Sequence, residues 1–352
     1  MASGGRRASG RGGGGGPGLR DVAVAAGVSM MTVSRALRGI DGVSAATRAR
    51  VAEIAHGLGY VPDGHARALA AAGSRLIGIS VPNLYNDVFA GILGGLRDTL
   101  GQAGYSSVVD TTDYDLVRER DWVERMAVWR PAGLVLTGCA HDPGLRRLLA
   151  PGAVPVVEVW DVSDAPLDLC VGIDHRAAGR QIAQHVAALG YRRPAVVGLA
   201  PGVDPRADGR AEGIAETFAG RSAPLRRIDV AGANAFVAGA EGARAVLADP
   251  PGARPDALFF HNDNMAFGGL CALEASGLAV PEAIGVVGFN GLDLTRVLPR
   301  PITTLETPRA QIGRLAGQHL LARLNGLAPP PRSALPCRLV PGATVRAVGA
   351  PR

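Results

Sequence analysis

Residues 19–39 read Leu19-Arg-Asp-Val-Ala-Val-Ala-Ala-Gly-Val-Ser-Met-Met-Thr-Val-Ser-Arg-Ala-Leu-Arg-Gly39, two short helical periods broken by one glycine. Leu19, Val22, Ala23 and Ala26 fall on one helical face, and Gly27 stops that helix. Ser29 is a good N-cap, and Val33, Ala36 and Leu37 recur behind it at helical spacing. Ala23 is small enough to let the helices approach, and Val28 and Val33 fill the wedge between them. These are the mechanics of a helix-turn-helix, whose second helix presents its first turn to the major groove of duplex DNA. Met30, Met31 and Arg35 are then outward residues able to reach base edges. A bidentate Arg35–guanine pair is worth about 1–3 kcal/mol of discrimination. Ser29, Thr32, Ser34 and Thr47 are short donors suited to phosphates, and Leu19 opens the same surface. Ser44 caps a third helix with Val51, Ile54, Ala55 and Leu58 as its buried stripe. The alternative is an ordinary helical hairpin whose Ser and Arg face water.

Charge favours the first reading. The chain has 352 residues, 47% hydrophobic and 19% charged, with a formal net charge of +6 and no lysine. Residues 1–75 hold ten Arg against four acids, so the whole excess sits in the first fifth. That asymmetry points to a small polyanion-binding head on a neutral body, with a solvated basic tail as the alternative. No run approaches the roughly 18 apolar residues of a membrane span. The first 18 residues carry positive charge without an apolar core behind it, which reads as a disordered tail rather than an export signal. Cys139, Cys170, Cys271 and Cys337 form no CxxC pair, in keeping with a reducing cytoplasm.

From Leu76 the pattern changes. Apolar runs at Leu76–Val81, Val108–Val109, Leu134–Leu136 and Val154–Val159 alternate with amphipathic stretches at Phe89–Leu100 and Leu116–Trp129. The alternation restarts after Cys170, with strands near Ala195–Leu199, Ile228–Val230, Ala257–Phe260 and Ile284–Gly288. Helices fit between them, and a late helix at Pro308–Asn325 and the segment Ser333–Val345 return to pack on what precedes. Strands buried on both faces and separated by helices imply parallel sheets. A segment this long exceeds one compact core, so two lobes are expected. The expected fold is an N-terminal all-α helix-turn-helix head plus an α/β core of two doubly wound parallel-sheet lobes. Its boundaries fall at 1–18 for the tail, 19–61 for the head, 62–75 for a hinge helix or linker, 76–345 for the core and 346–352 for a C-terminal tail.

Two such lobes place a ligand where their strand C-termini face each other. The candidates just past the strands are Asn86, Val88, Phe89, Trp160 and Asp161 in the first lobe. In the second they are Arg206, Arg210, Asn234, Asn262, Asp263 and Asn290. Arg206 and Arg210 lie four apart at a strand-to-helix turn, so they share a side and could grip a carboxylate. Amides and Asp residues over an aromatic floor suit hydroxyl groups. Structural roles compete at three positions: a turn for Asn86, a helix cap for Asp263 and interface packing for Arg210. There is no G-x-G-x-x-G after the first strand, no P-loop, no nucleophile elbow and no metal-spaced His pair. No catalytic residue, cofactor or metal is expected, and His175 and His185 read as surface or packing residues.

The runs Arg20-Asp-Val-Ala, Ala26-Gly-Val-Ser, Thr32-Val-Ser-Arg, Thr47-Arg and Leu58-Gly-Tyr-Val-Pro62 resemble the head motif of the lactose-repressor (LacI) family of bacterial transcription regulators. The likeness continues at Leu76-Ile-Gly-Ile, His261-Asn-Asp-Asn-Met-Ala266, Gly288-Phe-Asn290 and Thr303-Thr-Leu305, over about residues 19–345. Met30-Met-Thr-Val-Ser-Arg35, Val81-Pro-Asn-Leu-Tyr-Asn-Asp-Val-Phe89 and Pro155-Val-Val-Glu158 are similar to the family's gluconate-operon repressor branch. The resemblance implies a repressor of a sugar-acid operon, at the nucleoid in the cytoplasm, binding double-stranded operator DNA as a homodimer. The absence of a leucine-heptad extension after residue 345 favours the dimer over a tetramer. It also implies a periplasmic-binding-protein-like core with an effector such as gluconate between the lobes. Phe89, Asp161, Arg210, Asn262 and Asn290 would line that pocket, Asn290 standing where lactose- and purine-type repressors carry Asp. Residues 62–73, Ala66 and Leu69 among them, would fold as a hinge helix on the operator, with Leu69 wedged into the minor groove. A transport-associated sugar-binding protein and a sugar-processing enzyme are the alternatives; the first needs an export signal, the second a catalytic constellation.

Overall fold

A computed structural model of the chain describes residues 17–60, 74–150, 152, 154–220, 225–232 and 234–347, apart from the Arg38 side chain. The expected tails and hinge, with Ala66 and Leu69, lie almost wholly outside the described residues. The chain divides into two compact units, residues 1–74 and 75–352.

The first unit is three helices, α1 (Leu19–Ala26), α2 (Met30–Arg38) and α3 (Ala45–Gly57). Gly27 ends α1 at φ 61°, a left-handed conformation that costs other residues a Cβ clash. Ser29 then caps α2, its Oγ accepting from Thr32 N–H at 3.1 Å, and Ser44 caps α3 through Thr47 N–H at 3.2 Å. Val22, Ala23, Ala26, Val33, Ala36, Val51 and Ala55 form the core, with Leu19, Val28 and Ile54 packed on it. The predicted wedge residues are therefore the ones that hold the helices together.

The second unit opens with β1 (Leu76–Val81), α4 (Asp87–Gln102), β2 (Ser106–Thr111), α5 (Leu116–Val128) and β3 (Gly133–Thr137). It continues through α6 (Pro143–Leu148), β4 (Val156–Asp161) and β5 (Leu169–Ile173). These strands make one parallel sheet in the order β11-β5-β4-β3-β1-β2, completed by the late strand β11 (Arg332–Ala334). The chain then crosses into α7 (His175–Ala188), β6 (Pro194–Gly198), α8 (Pro205–Phe218), β7 (Arg226–Asp229) and α9 (Ala235–Leu247). After these come β8 (Ala257–Phe260), α10 (Asp263–Ala275) and β9 (Gly285–Val287). Their parallel sheet has the order β7-β6-β8-β9. The short α11 (Leu294–Val297) and β10 (Thr304–Glu306) follow, and α12 (Arg309–Leu324) returns to pack along α4 of the first lobe. The last strand, β12 (Arg338–Val340), pairs antiparallel with β10.

One expectation needs correction. Cys170, after which the alternation was expected to restart, lies inside a further strand of the first sheet, β5, which pairs with β4 on one side and β11 on the other. A short run buried on both faces carries no periodicity that says which sheet it joins.

Both sheets share a local order in which the first strand of the lobe lies between its two successors, β2-β1-β3 and β7-β6-β8. That is the switch-point geometry beside which open α/β sheets bind ligands. Helices α4 and α12 cross so closely that a Cβ on Gly95 would overlap the Ala310 carbonyl, and one on Gly313 the Ile92 carbonyl. Ile92, Leu96, Leu100, Ile312, Ala316 and Leu320 are buried around this crossing. Each of the larger side chains contributes about 1.5–3 kcal/mol by leaving water.

Candidate nucleic-acid interface and effector cleft

The start of α2 offers two bulky side chains outward: Met30 is 52% exposed and Met31 71%. Ser29 and Thr32 sit beside them with their hydroxyls 2.9 Å apart, and the Thr47 hydroxyl stands equally near Ser44 Oγ at 2.9 Å. Ser34 is half-buried on α2. Two residues differ from the sequence reading. Leu19 packs its side chain on the head core rather than presenting it outward. Arg35 is half-buried and folded back, its guanidinium Nη2 donating to the Asp41 carbonyl beside Gly42. A loop rich in unpaired carbonyls attracts a long cation; Arg48 likewise donates to the Ile40 carbonyl at 3.3 Å.

In the core, Trp160 and Asp161 end β4, and α8 carries Arg206 and Arg210 across to them from the other lobe. Arg206 Nε donates to Asp204 Oδ1 at 3.0 Å, its Nη1 lies 3.8 Å from Asp161 Oδ2, and its guanidinium stacks 5.4 Å from the centre of the Tyr114 ring. Burial would raise the Asp204 carboxyl, but Arg206 and Arg210 outweigh it and hold it at about 2. Burial likewise works against the Arg206 cation, and Asp161 and Asp204 more than restore it.

Arg210 has a different company. It is only 9% exposed, stacks 4.4 Å above the Phe289 ring, and donates from Nη1 to His175 Nδ1 at 2.9 Å and from Nη2 to the His261 carbonyl at 3.2 Å. A guanidinium only donates, so His175 Nδ1 is an acceptor and the ring proton sits on Nε2. His175 Nε2 approaches Asp161 Oδ1 to 3.2 Å without the alignment of a hydrogen bond. His261 Nδ1 accepts from Leu199 N–H at 3.1 Å, which leaves its Nε2–H without a partner. Burial first, and Arg210 next, push the His261 imidazole down to about 3, so it stays neutral. Asn290, at φ 112° and 7% exposed, has a buried Oδ1 that also lacks a partner.

The structure thus brings Trp160, Asp161, Arg206 and Arg210 together, with Asn290 just past β9. Phe89 is buried and meets the Tyr114 ring edge-on at 6.4 Å, while Val88 is core. Asn86 caps α4, its Oδ1 accepting from Val88 N–H at 3.0 Å, and Asn262 caps α10 through Met265 N–H at 2.9 Å. Two further expected ligands have side-chain oxygens engaged within the fold. Asn234 is exposed and its Oδ1 caps α9 through Phe236 and Val237 N–H. Asp263 is fully buried with both oxygens occupied, by Thr304 Oγ1 at 2.6 Å and Leu292 N–H at 2.7 Å.

Sequence reading missed Tyr114, His175, Asp204, His261 and Phe289. His175 stands directly after β5, and His261 and Phe289 follow β8 and β9 just as closely. The rule that selected Asn262 and Asn290 would have found His261 and Phe289, whereas His175 follows a strand the sequence reading did not place.

A three-helix head with an outward first turn on its second helix, joined to a two-lobed α/β core with a charged cleft, defines a DNA-binding transcriptional regulator with its own effector domain. The chain belongs to the LacI family of such bacterial regulators. Residues 18–63 match the bacterial regulatory proteins, lacI family, and residues 183–345 match the periplasmic binding protein-like domain. The chain is 32% identical to the HTH-type transcriptional regulator GntR of Escherichia coli (strain K12), covering 90% of this chain and 94% of that protein. Among solved structures, a LacI-family transcriptional regulator from Silicibacter pomeroyi superposes with TM-score 0.87 at 38% identity, over 94% of this chain and 99% of that one. The lac repressor dimer bound to operator and the anti-inducer ONPF gives TM-score 0.81 at 27% identity, over 95% and 100%. These relatives leave the transport-protein and enzyme alternatives without support. Among the described residues, no helix is long and apolar enough to cross a membrane.

Proposed function

We propose that this regulator is a homodimeric cytoplasmic repressor, acting at the nucleoid on a sugar-acid utilisation operon, with a sugar acid such as gluconate as its effector. One observation carries the effector reading: Arg210, the buried atoms Asp161 Oδ1, His175 Nε2 and His261 Nε2 that make no hydrogen bond, and the rings of Trp160 and Phe289 gather around His175 and Arg210. Hydroxyl groups donate and accept, so a polyol chain answers both kinds of orphan, and leaving such groups unmet costs about 1–3 kcal/mol each. The two arginines do not share the carboxylate equally. Arg206 already pairs with Asp161 and Asp204, whereas Arg210 spends its hydrogen bonds on the neutral His175 ring and the His261 carbonyl and is the carboxylate's anchor.

Calorimetric titration tests this. Wild type should bind gluconate well above glucose, and Arg210→Ala should lower gluconate affinity tenfold or more with little change for glucose. That loss corresponds to one charged hydrogen bond of about 1.5–3 kcal/mol. Equal binding of acid and neutral sugar by wild type would overturn the reading.

On the DNA side, Met30 and Met31 meet base edges, and Arg35 swings off the Asp41 carbonyl to reach guanine. Ser29, Thr32, Ser34 and Thr47 hold phosphates, and Ala66 and Leu69 act as the resemblance implies. The homodimer is supported by β2, an edge strand with Val108 and Val109 exposed, beside exposed Leu116 and Val117 on α5. Selection from random duplexes should return a two-fold symmetric site. Arg35→Ala should flatten its base preferences, while Thr32→Ala weakens all sequences alike.

A further inference from the structure

A buried site that accepts an anion has to balance its charge. Around the cleft the guanidiniums of Arg206 and Arg210 are matched by the carboxylates of Asp161 and Asp204, so an incoming carboxylate adds one uncompensated negative charge. The protein holds a group placed to compensate it. His175, the first residue of α7, is 8% exposed and sits where both lobes meet. From β4, Asp161 faces its Nε2 and Trp160 lies edge-on to its ring, 5.3 Å between centres. From α8, Arg210 donates to its Nδ1, with Arg206 a second nearby cation. Phe289, past β9, completes the enclosure at 6.3 Å. Burial holds the imidazole neutral, Asp161 opposes that, and the two arginines reinforce it.

We propose that His175 takes up a proton as a carboxylate effector binds, and that this proton is what lets the cleft prefer an acid to the neutral sugar of the same skeleton. The inference rests on the sugar-acid reading and goes beyond it. The approaching carboxylate takes over the Nη1–H of Arg210 that His175 Nδ1 now accepts. The released Nδ1 lone pair binds a proton from solvent, and the new N–H donates to the carboxylate. Nε2–H lies 3.2 Å from Asp161 Oδ1 without being aligned on it, and a small turn of the ring pairs the imidazolium with that carboxylate on its far side. One negative charge and one proton enter together, so the charge balance of the cleft is unchanged. A neutral sugar leaves the Arg210–His175 hydrogen bond in place and calls for no proton.

The test is calorimetry of the full-length protein with gluconate and with sorbitol at pH 7.5, in buffers of different ionisation enthalpy. The dependence of the observed heat on buffer should give close to one proton taken up per gluconate and none per sorbitol. Gluconate affinity should fall as pH rises above 7, by at most tenfold per pH unit, as linkage of one proton to binding requires. In His175→Gln the uptake and the pH dependence should both vanish. Should that variant fail to fold, the wild-type proton count decides by itself. Gluconate binding with no proton uptake overturns this proposal while leaving the sugar-acid reading intact. Binding of sorbitol but of no sugar acid overturns that reading, and this proposal with it.

Discussion

His141 is clamped between two carboxylates, its Nδ1 2.6 Å from Glu119 Oε2 and its Nε2 3.0 Å from Glu158 Oε1, with all three residues buried. Ser80 Oγ donates to Glu119 and Leu167 N–H to Glu158, so the cluster ties β1, α5 and β4 together. Burial would depress the imidazole, but the bonds to Glu119 and Glu158 outweigh it and raise it from 6.5 to about 9. A histidine raised in the folded state stabilises fully below its unfolded value and loses that contribution as pH rises through the folded one. The urea midpoint of wild type should therefore fall between about pH 7 and 10, and that part of the slope should be missing in His141→Gln. The substitution itself should cost about 3–5 kcal/mol, because it strands two carboxylates in the interior. A wild-type midpoint that is level across this range would mean that the imidazole is neutral. Asp263 has its slope in a lower window. Burial raises its carboxyl to about 6, against the Thr304 and Leu292 donors, so its contribution grows as pH falls from 6 towards 3.8. Neither cluster was legible in the sequence: His141 meets its partners across 22 and 17 residues, a proximity only the sheet creates.

At the scale of elements, the α4–α12 crossing makes two adjacent glycines opposites. A Cβ on Gly94 meets nothing within 4 Å, whereas on Gly95 it would overlap the Ala310 carbonyl. Gly94→Ala should therefore raise stability by about 0.5–1 kcal/mol through helix propensity. Gly95→Ala should lower it by about 1–3 kcal/mol, since backbone cannot yield as a side chain can. Denaturant midpoints of the two variants check this, and a shared sign would show that the helices slide apart freely. The periodicity that placed Phe89–Leu100 on a helix was sound, and so were the capping serines of the head. Helix stripes and N-caps are local, so they are written in adjacent residues. Strand order is not, which is why Leu169–Ile173, the strand between β4 and β11, was not placed from the sequence. Cleft residues fall between these cases. A position just past a strand is readable, but its use as a cap, as at Asn234, or as a ligand contact depends on what folds opposite it.

For the whole molecule, the separation of a basic head from a neutral body sets how DNA binding responds to salt. Association with random duplex should weaken as a straight line in log salt, with a slope near −0.9 per phosphate contacted. The isolated core, residues 75–352, should show no such binding on a gel shift in low salt. Retained binding by the core would place a second polyanion surface where the charge count finds none.

The number of chain crossings has a separate consequence. Head and core are joined by a single passage of chain, whereas the two lobes are joined by three: after Ile173, after Glu306 and after Ala334. Recombination between related genes can thus trade the head as an intact cassette, redirecting the protein to new promoters while its chemical sense stays the same. No single breakpoint separates one lobe from the other. Effector recognition must therefore diverge by point substitution within the cleft, while promoter choice remains open to shuffling. The two halves of a regulatory decision can evolve by different genetic routes because one polypeptide connects them once and the lobes three times.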